Sequence, residues 1–142
     1  MSNRTEDLPE ELYRVLAELL NRRKNIEVIN SIRGEYGVLN CLCAVKEGAS
    51  AGELCKKLHV VPGRMADILK SLEQKELIVR TRDAADRRVV KAQITEKGRE
   101  VSLEKRQEIR DDYTGLFTLL SEDEVVELIR LLKIMLSFCP EE

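Results

Sequence analysis

The sequence of 142 residues has few of the residue types on which catalysis and metal binding usually depend. It contains one histidine, His59, no tryptophan and only 4% aromatic residues. We find neither a glycine-rich phosphate loop nor a nucleophile beside a base. The sequence therefore disfavours an enzyme, a metal site and a bound cofactor. The low aromatic content predicts a core of packed aliphatic helices.

Long apolar runs and paired cysteine motifs are also missing. No apolar stretch approaches the roughly 18 residues of a membrane-spanning helix, and the N-terminus lacks the basic-then-apolar order of a signal peptide. We therefore expect a cytoplasmic protein without a membrane partner. The four cysteines are Cys41, Cys43, Cys55 and Cys139. They form no CxxC pair, so buried structural thiols are expected. Redox sensing by Cys55 or Cys139 is the alternative.

Charge is distributed unevenly along the chain. The formal net charge is only −2, but residues 54–99 carry 12 Lys and Arg against 6 Asp and Glu. Residues 1–53 carry 7 against 9, and residues 100–142 carry 5 against 11. A basic middle segment between acidic ends predicts one electropositive face, which favours a nucleic-acid partner.

Apolar residues recur with helical spacing in the first third of the chain. Residues 9–25 carry a one-sided apolar stripe, formed by Leu12, Val15, Leu16, Leu19 and Leu20. Pro9 precedes this stripe, and proline fits the first helical turn, so we predict that the first helix begins near Pro9. A second helix is predicted over roughly residues 35–46, with Gly48 after its end.

Two short helices joined by a tight turn are predicted next. Ser50 and Glu53 have the spacing of a capping box, which marks a helix start. Pro62 opens the following helix, which carries an inward apolar side. Two short helices in this arrangement form a helix-turn-helix.

A β-hairpin is predicted directly after the helix-turn-helix. Residues 89–94 alternate between apolar and polar side chains, as in a half-buried strand, and residues 77–81 form a second short run. Residues 83–88 join the two strands with a charged loop. A helix-turn-helix followed by a hairpin is a winged helix, and the charged loop is then the tip of its wing.

The C-terminal third of the chain predicts two more helices. A polar-rich helix extends from Thr95 to about Leu120, and a last helix covers residues 122–138 after the capping box of Ser121 and Glu124. The last helix is apolar almost all round, which is typical of a helix buried on several sides. Since one small domain cannot easily cover it, we expect a homodimer formed by the first and last helices.

The stretch ELCKKLHVVPGRMADILKSLEQKELIVRTRDAADRRVVKAQITEKGRE resembles the MarR family of bacterial transcriptional regulators. The resemblance is most specific in the wing, where an acid and Asp86-Arg87-Arg88 precede a strand and then ITEKG. It implies a mainly α fold with a small β-hairpin wing (α+β). The expected organisation is one domain over residues 1–142. Within it, 35–98 form the DNA-binding lobe, and 8–30 with 99–138 form dimerisation helices.

The resemblance also implies a function. The chain would be a ligand- or redox-responsive repressor that binds a pseudo-palindromic double-stranded DNA operator as a homodimer. Residues 62–73 would be the recognition helix in the major groove. Arg88 would enter the minor groove, and Asp86 would brace it.

Candidate DNA contacts follow from charge and from position on the predicted helices. They are Lys56, Lys57, Gly63, Arg64, Ala66, Asp67, Lys70, Arg87 and Arg88. Arg64 is the best candidate for a guanine contact, and the lysines and the backbone amides at the helix start are candidates for phosphates. A solvated helix face is the alternative reading for the lysines.

Three residues differ from the common family pattern. Val61 replaces a frequent capping residue, so the recognition helix is expected to lack a side-chain cap. His59 replaces a frequent turn glycine. Asp67 would repel phosphate, although its carboxylate can accept a hydrogen bond from cytosine N4.

Two further hypotheses concern the effector and an alternative function. A small-molecule pocket would draw on Tyr13, Tyr36, Leu39 and Tyr113. Core packing is the alternative for these residues. A winged helix used as a protein–protein interaction module, an anti-repressor or scaffold without DNA binding, is the alternative function. Asp67 supports that alternative, whereas the basic middle segment argues against it.

Overall fold

The predicted fold class, mainly α with a small β-hairpin wing, is confirmed. The computed structural model describes residues 2–139, without the side chains of residues 2–6, 24, 27, 30 and 31. The helices are α1 (Ser2–Asn21), α2 (Arg23–Arg33), α3 (Glu35–Cys43), α4 (Ala51–Leu58), α5 (Pro62–Gln74), α6 (Glu96–Thr114) and α7 (Glu122–Phe138). The strands are β1 (Ala49–Ser50), β2 (Ile78–Arg82) and β3 (Val90–Ile94), and a 3-10 helix spans Gly115–Thr118.

The described chain forms two compact units that divide after Leu103. The first unit contains α1 to α5, the sheet and the first turns of α6. The second contains the rest of α6, the 3-10 helix and α7. The division into a DNA-binding lobe and dimerisation helices remains a prediction, and the ends of the predicted domain, residue 1 and residues 140–142, lie outside the described part.

The sheet and the helices around it enclose the core of the first unit. All strand pairs are antiparallel, in the order β1-β3-β2, with Ala49 opposite Ala92 and Ile78 opposite Ile94. Of the inward residues that the alternation of β3 predicts, Ala92 is buried and Ile94 is partly buried, whereas Val90 at the wing end of the strand is 41% exposed. The fully buried side chains are Val38, Leu39, Leu42, Leu54, Met65, Leu72 and Ile78. These residues come from three helices, α3 to α5, and from strand β2, so the winged helix is built around a single aliphatic core.

Strand β1 was not predicted, and Gly48 explains how it reaches the sheet. Gly48 has φ +83°, which favours glycine, and a Cβ at this position would lie 2.4 Å from the carbonyl oxygen of Ala92. The backbone of residue 48 can therefore approach β3 only because it has no side chain. Two residues make too short a strand to give a periodic sequence signal.

The helix-turn-helix consists of α4 and α5. The Ser50 side chain accepts a hydrogen bond from the Glu53 amide at 3.2 Å, which caps α4. His59 ends α4 in the left-handed conformation, with φ 55° and ψ 47°. Pro62 stands at the start of α5. These residues turn the chain between the two helices as the sequence predicts.

The structure corrects the predicted start of α1. The helix begins at Ser2, and Pro9 lies inside it rather than in its first turn. Proline inside a helix cannot donate the helical hydrogen bond, and its ring crowds the carbonyl four residues earlier, so Pro9 destabilises α1 locally. The helix is nevertheless continuous through this position.

Three other element predictions differ from the structure. Helix α2 was not predicted, although Ile26, Ile29 and Ile32 recur at helical spacing and give it an apolar side. Helix α3 ends at Cys43 instead of near residue 46. The predicted helix up to Leu120 instead ends at Thr114 and continues as a 3-10 helix, starting at Gly115, a residue that disfavours α-helix.

Helix α7 begins and ends where the sequence predicts. Ser121 and Glu124 form a complete capping box, in which each side chain bonds the other residue's amide. Its apolar residues are largely exposed in the single chain. They are Val126, Leu128, Ile129, Leu131, Leu132, Ile134, Met135, Leu136 and Phe138. No helix within the described residues is long and apolar enough to span a membrane.

Candidate nucleic-acid interface

The outer side of α5 brings together five of the predicted DNA contacts. Burial of the inward residues Met65, Ile68, Leu69 and Leu72 fixes the rotation of the helix. The opposite side is exposed and carries Gly63, Arg64, Ala66, Asp67 and Lys70. Glycine and alanine leave room for close approach of a ligand backbone. Arginine, aspartate and lysine provide long polar groups on the same side.

The start of α5 lacks a side-chain cap, as the sequence predicts. Val61 occupies the N-cap position and makes no side-chain hydrogen bond to the helix. The first backbone bond of the helix runs from the Met65 amide to the Val61 carbonyl at 3.0 Å. The amides of Gly63 and Arg64 are therefore donors at the positive end of a helix, where anions bind well.

The wing loop holds Arg88 by a carboxylate two residues earlier. Nε of Arg88 donates to Oδ1 of Asp86 at 3.1 Å, and Nη2 donates to Oδ2 at 3.3 Å. The Arg88 amide also donates to Oδ1 at 3.1 Å. The Arg88 side chain is nevertheless 91% exposed. A two-point ion pair restricts the guanidinium while leaving its outer edge accessible.

Three residues that sequence reasoning did not single out shape the same loop. Arg82 donates from Nη1 to the Arg87 carbonyl at 2.8 Å. Asp83 accepts from the Ala85 amide at 2.8 Å, and Lys91 lies 3.5 Å from its other oxygen. The sequence signal that could have indicated these residues is their charge, because they lie at the two strand ends that face the loop. These bonds make the tip an ordered turn.

Both wing carboxylates are held in the ionised form. The side-chain and amide hydrogen bonds from Arg88 lower the pKa of Asp86, although the charge of Asp83 opposes this. The Ala85 amide, followed by Lys91, lowers the pKa of Asp83. The bracing pair between Asp86 and Arg88 is therefore charged at neutral pH.

The two lysines of α4 lie beside the turn. Lys56 and Lys57 are exposed in the last helical turn. The charge of Lys57 acts weakly on Cys41, but partial burial dominates and raises the pKa of the Cys41 thiol. That thiol is thus less reactive than an ordinary surface cysteine.

The other cysteines and the predicted effector residues have varied surroundings. Cys55 packs partly against the core, whereas Cys139 is exposed at the end of α7. Leu39 is fully buried in the core. In the first unit Tyr13 is 73% exposed and Tyr36 is exposed near the start of α3, and in the second unit Tyr113 is exposed near the end of α6. Within residues 2–139, no three potential metal-binding side chains cluster.

Comparison with known proteins places this geometry in a family. The MarR family model matches residues 34–90, a range that contains every predicted DNA contact. The HTH-type transcriptional regulator MhqR of Bacillus subtilis strain 168 is 30% identical over 121 residues, which cover 85% of this chain and 81% of MhqR.

Solved structures share the fold over nearly the whole chain. The G34K mutant of S. aureus MepR has a TM-score of 0.72 at 23% identity, covering 92% of this chain and 98% of that chain. Streptococcus pneumoniae FabT in complex with DNA has a TM-score of 0.67 at 22% identity, covering 95% and 96%. The chain therefore belongs to the MarR family of winged-helix transcriptional regulators rather than to an enzyme family.

Proposed function

We propose that this protein regulates transcription by binding double-stranded DNA, with α5 in the major groove and Arg88 in the minor groove. The observation that carries the proposal is the Arg88 side chain, which is 91% exposed yet held by Asp86. A narrow minor groove has a strongly negative potential that attracts arginine. An arginine already fixed at the loop tip loses less side-chain freedom on entering it.

The exposed side of α5 supports direct reading of bases. Arg64 can donate two hydrogen bonds to guanine, and Asp67 can accept one from cytosine N4. Ala66 is small enough to allow van der Waals contact with a base or a thymine methyl group. The uncapped amides of Gly63 and Arg64 suit a phosphate at the helix start.

The pairing of charges supports a phosphate-binding surface. Three acids of the basic segment form ion pairs: Glu73 with Arg80, Asp83 with Lys91 and Asp86 with Arg88. Eight bases of this segment form no ion pair with any residue in the described part of the chain. Five of the eight are predicted DNA contacts: Lys56, Lys57, Arg64, Lys70 and Arg87. The other three are Arg82, Lys97 and Arg99. The similarity to DNA-bound FabT also supports this role.

A homodimer is the proposed assembly. Leu8, Leu12, Val15 and Leu19 form an exposed stripe along α1, and α7 exposes large apolar side chains on several sides. Monomeric proteins rarely expose so much contiguous apolar surface. A second copy of the chain would cover these helices and would place two recognition helices on one pseudo-palindromic operator.

The proposed repressor is controlled by a small molecule or an oxidant that changes its affinity for DNA. The exposed Tyr13, Tyr36 and Tyr113 are aromatic groups that a ligand can use. Leu39, being fully buried, fits core packing better than effector contact. Of the two redox candidates, Cys139 is the exposed thiol and Cys55 is partly buried. A screen for ligands and oxidants that release the protein from DNA tests this part, with Cys139→Ser and Cys55→Ser as controls.

The DNA-binding proposal is tested by selection from a random duplex library, followed by fluorescence anisotropy on the selected duplex across a salt series. The variant is Arg88→Ala. The matched control is Arg130→Ala, because Arg130 is also exposed and paired with a nearby acid, Glu127 at 2.6 Å, but lies on α7.

The expected result is sequence-preferring binding that weakens steeply with salt, because phosphate contacts release counterions. Arg88→Ala should lose most of this affinity and Arg130→Ala should keep it. If no duplex binds in a salt-dependent manner, the DNA-binding proposal is wrong. The exposed Asp67 would then favour the protein–protein interaction module.

A further inference from the structure

The C-terminal end of the recognition helix is attached to two other helices by polar bonds. On one side it contacts Glu35, the first residue of α3. One carboxylate oxygen of Glu35 accepts a hydrogen bond from the Ser71 hydroxyl, and the other accepts one from Nζ of Lys75 at 2.8 Å. Ser71 and Lys75 are 36 and 40 residues away in sequence. These are therefore tertiary bonds, unlike the neighbour pairs that are common along an exposed helix.

On the other side, Thr95, the residue before α6, and Gly98 in its first turn contact the residues that follow α5. The Thr95 hydroxyl donates to the Glu76 carbonyl at 2.7 Å, and the Thr95 amide donates to the Leu77 carbonyl at 3.0 Å. Gly98 lies so close that a Cβ there would be 2.2 Å from the Leu77 oxygen. The close approach requires glycine, so the turn after α5 is fixed against α6.

Glu76 shows that this turn depends on its surroundings. Its φ of 62° lies in the left-handed region, which a glutamate rarely adopts. A residue in that conformation persists only where neighbouring contacts hold it. The contacts from Thr95 act on the turn itself, whereas those from Glu35 act on the last helical turn just before it.

The position of α5 decides whether its outer side meets base edges. The inward residues fix the rotation of the helix but leave its tilt to contacts at its two ends. The start of α5 has no side-chain cap. The polar bonds to Glu35 lie near the C-terminal end of the helix. Displacing polar groups by about 1 Å is enough to weaken directional hydrogen bonds to a ligand.

We propose that Glu35 is a positioning residue for DNA recognition. By holding Ser71 and Lys75 it sets the tilt of α5, and sequence-specific affinity depends on this clamp although Glu35 itself touches no base. The proposal rests on the proposed DNA-binding function. It adds a determinant that lies outside the DNA-contacting surface and joins the recognition helix to the junction of α2 and α3 at Gly34.

The test compares binding to a selected duplex with binding to a random duplex of equal length. The variants are Glu35→Ala, Lys75→Met, the double variant and Glu35→Gln. Glu47→Ala is the matched control, because it removes the same charge from an exposed residue that forms no ion pair with any residue that the structure describes. Thermal unfolding of each variant is measured in parallel.

Glu35→Ala should weaken specific binding by about tenfold and leave random-duplex binding nearly unchanged. Loss of a negative charge alone would instead strengthen binding to both duplexes, and this is the result expected for Glu47→Ala. The double variant should lose little more than either single variant, because both act on one contact. Glu35→Gln should recover part of the specificity, since its single amide oxygen can still accept one of the two hydrogen bonds.

Two results would contradict the proposed positioning role of Glu35. One is wild-type specificity in Glu35→Ala. The other is an equal loss on both duplexes that follows a lowered unfolding temperature, because that indicates a merely structural role. If the wild-type protein itself prefers no sequence, the proposed function fails instead, so the two failures are distinguishable.

Discussion

At the residue scale, removing the Asp86 carboxylate has two possible effects on DNA affinity, and they act in opposite directions. Asp86→Ala removes a negative charge, and electrostatics alone would then strengthen DNA binding. If Asp86 braces Arg88, the freed guanidinium must lose its side-chain entropy on binding, and affinity should fall by roughly tenfold. Anisotropy on the selected duplex measures the change.

The control for this variant is Glu127→Ala, which breaks a comparable exposed pair with Arg130 on α7. Its affinity should stay at the wild-type value. The bracing role also requires that Asp86→Ala no longer weakens DNA binding in an Arg88→Ala background. A tighter complex with Asp86→Ala would contradict it.

His59 gives a prediction about stability rather than binding. Its left-handed conformation at the end of α4, with φ 55°, costs about 1 kcal/mol in any residue other than glycine. His59→Gly should therefore raise the free energy of unfolding by up to that amount and the melting temperature by roughly 3 °C. Urea and thermal unfolding both measure it.

Lys57→Gly is the control for His59→Gly. It introduces the same residue within α4, where glycine should lower the free energy of unfolding by about 1 kcal/mol. A loss of stability in both variants would mean that the His59 side chain contributes contacts that outweigh its backbone strain.

Residue types predicted the wing pair but not the residues that support it. Asp86 and Arg88 are close in sequence, so their contact follows from a short loop. The bond from Arg82 to the Arg87 carbonyl depends on how β2 and β3 pair, and the Glu35 clamp depends on the packing of α3 against α5. Neither contact has a local signal. Leu39 is a fully buried core residue, which fits the core-packing alternative, and its place in an effector pocket stays a prediction.

At the scale of elements, the contact between α3 and α5 makes stability depend on pH. Partial burial of Glu35 opposes its ionisation, but the hydrogen bonds from Lys75 and Ser71 and the charge of Lys75 together lower its pKa below the ordinary 4.5. The unfolded chain therefore binds a proton at Glu35 more readily than the folded chain does. The stabilisation is fully present above the unfolded pKa and is lost as pH falls through the lower folded value.

Glu35→Gln should consequently lower the free energy of unfolding at pH 7 by no more than about 1 kcal/mol, since the pair is partly exposed. The difference from wild type should shrink as pH is lowered from about 7 to 3. Urea unfolding over that range measures it, with Glu47→Gln as the control. A difference that grew towards acid pH would show that the clamp favours the neutral carboxyl.

Helix α7 gives a prediction about assembly. Leu132 is exposed in the single chain although it is a large apolar residue. If a second copy covers it, Leu132→Glu buries an unpaired charge and should weaken dimerisation by roughly a hundredfold. Analytical ultracentrifugation at micromolar concentration should then show a monomer. Lys133→Glu is the control, because it introduces the same residue at the adjacent exposed position and should leave the dimer intact.

Elements with strong local signals were predicted, and those defined by tertiary contact were not. The capping box and dense apolar content of α7 give its ends correctly, and the alternation of β3 predicts a half-buried strand. Strand β1 reaches the sheet because Gly48 lets the chain approach β3, a contact that gives no local signal. Helix α2 was missed although Ile26, Ile29 and Ile32 have helical spacing. The predicted start of α1 was wrong because it assumed that Pro9 lies in the first helical turn, the position that proline favours. Proline also occurs inside helices, as it does here.

At the scale of the whole molecule, charge and symmetry act together. The basic segment, residues 54–99, contains α5 and the wing, whereas residues 100–142 are acidic, with 11 Asp and Glu against 5 Lys and Arg. DNA should therefore contact only the winged-helix part of each protomer. The acidic segment would reduce binding in any other orientation, so the charge distribution favours one docking mode.

A two-fold dimer that docks in this way must read half-sites on one side of the duplex. The recognition helices would then contact half-sites separated by about 10 base pairs, one helical turn, or a multiple of it. Inserting about five base pairs at the centre of the selected operator rotates one half-site to the opposite side of the duplex. We expect the affinity to fall to that of a single half-site.

Electrophoretic mobility shift and anisotropy on three duplexes measure the spacing effect. The first carries the selected operator, the second the central insertion, and the third the same number of base substitutions at the centre without insertion. The third controls for contacts or bending at the centre. If insertion and substitution lowered the affinity equally, the central base pairs would contribute to recognition, either by direct contact or through the bending of the DNA. If the insertion had no effect, each protomer would bind independently, and the proposed symmetric arrangement of the recognition helices would be wrong.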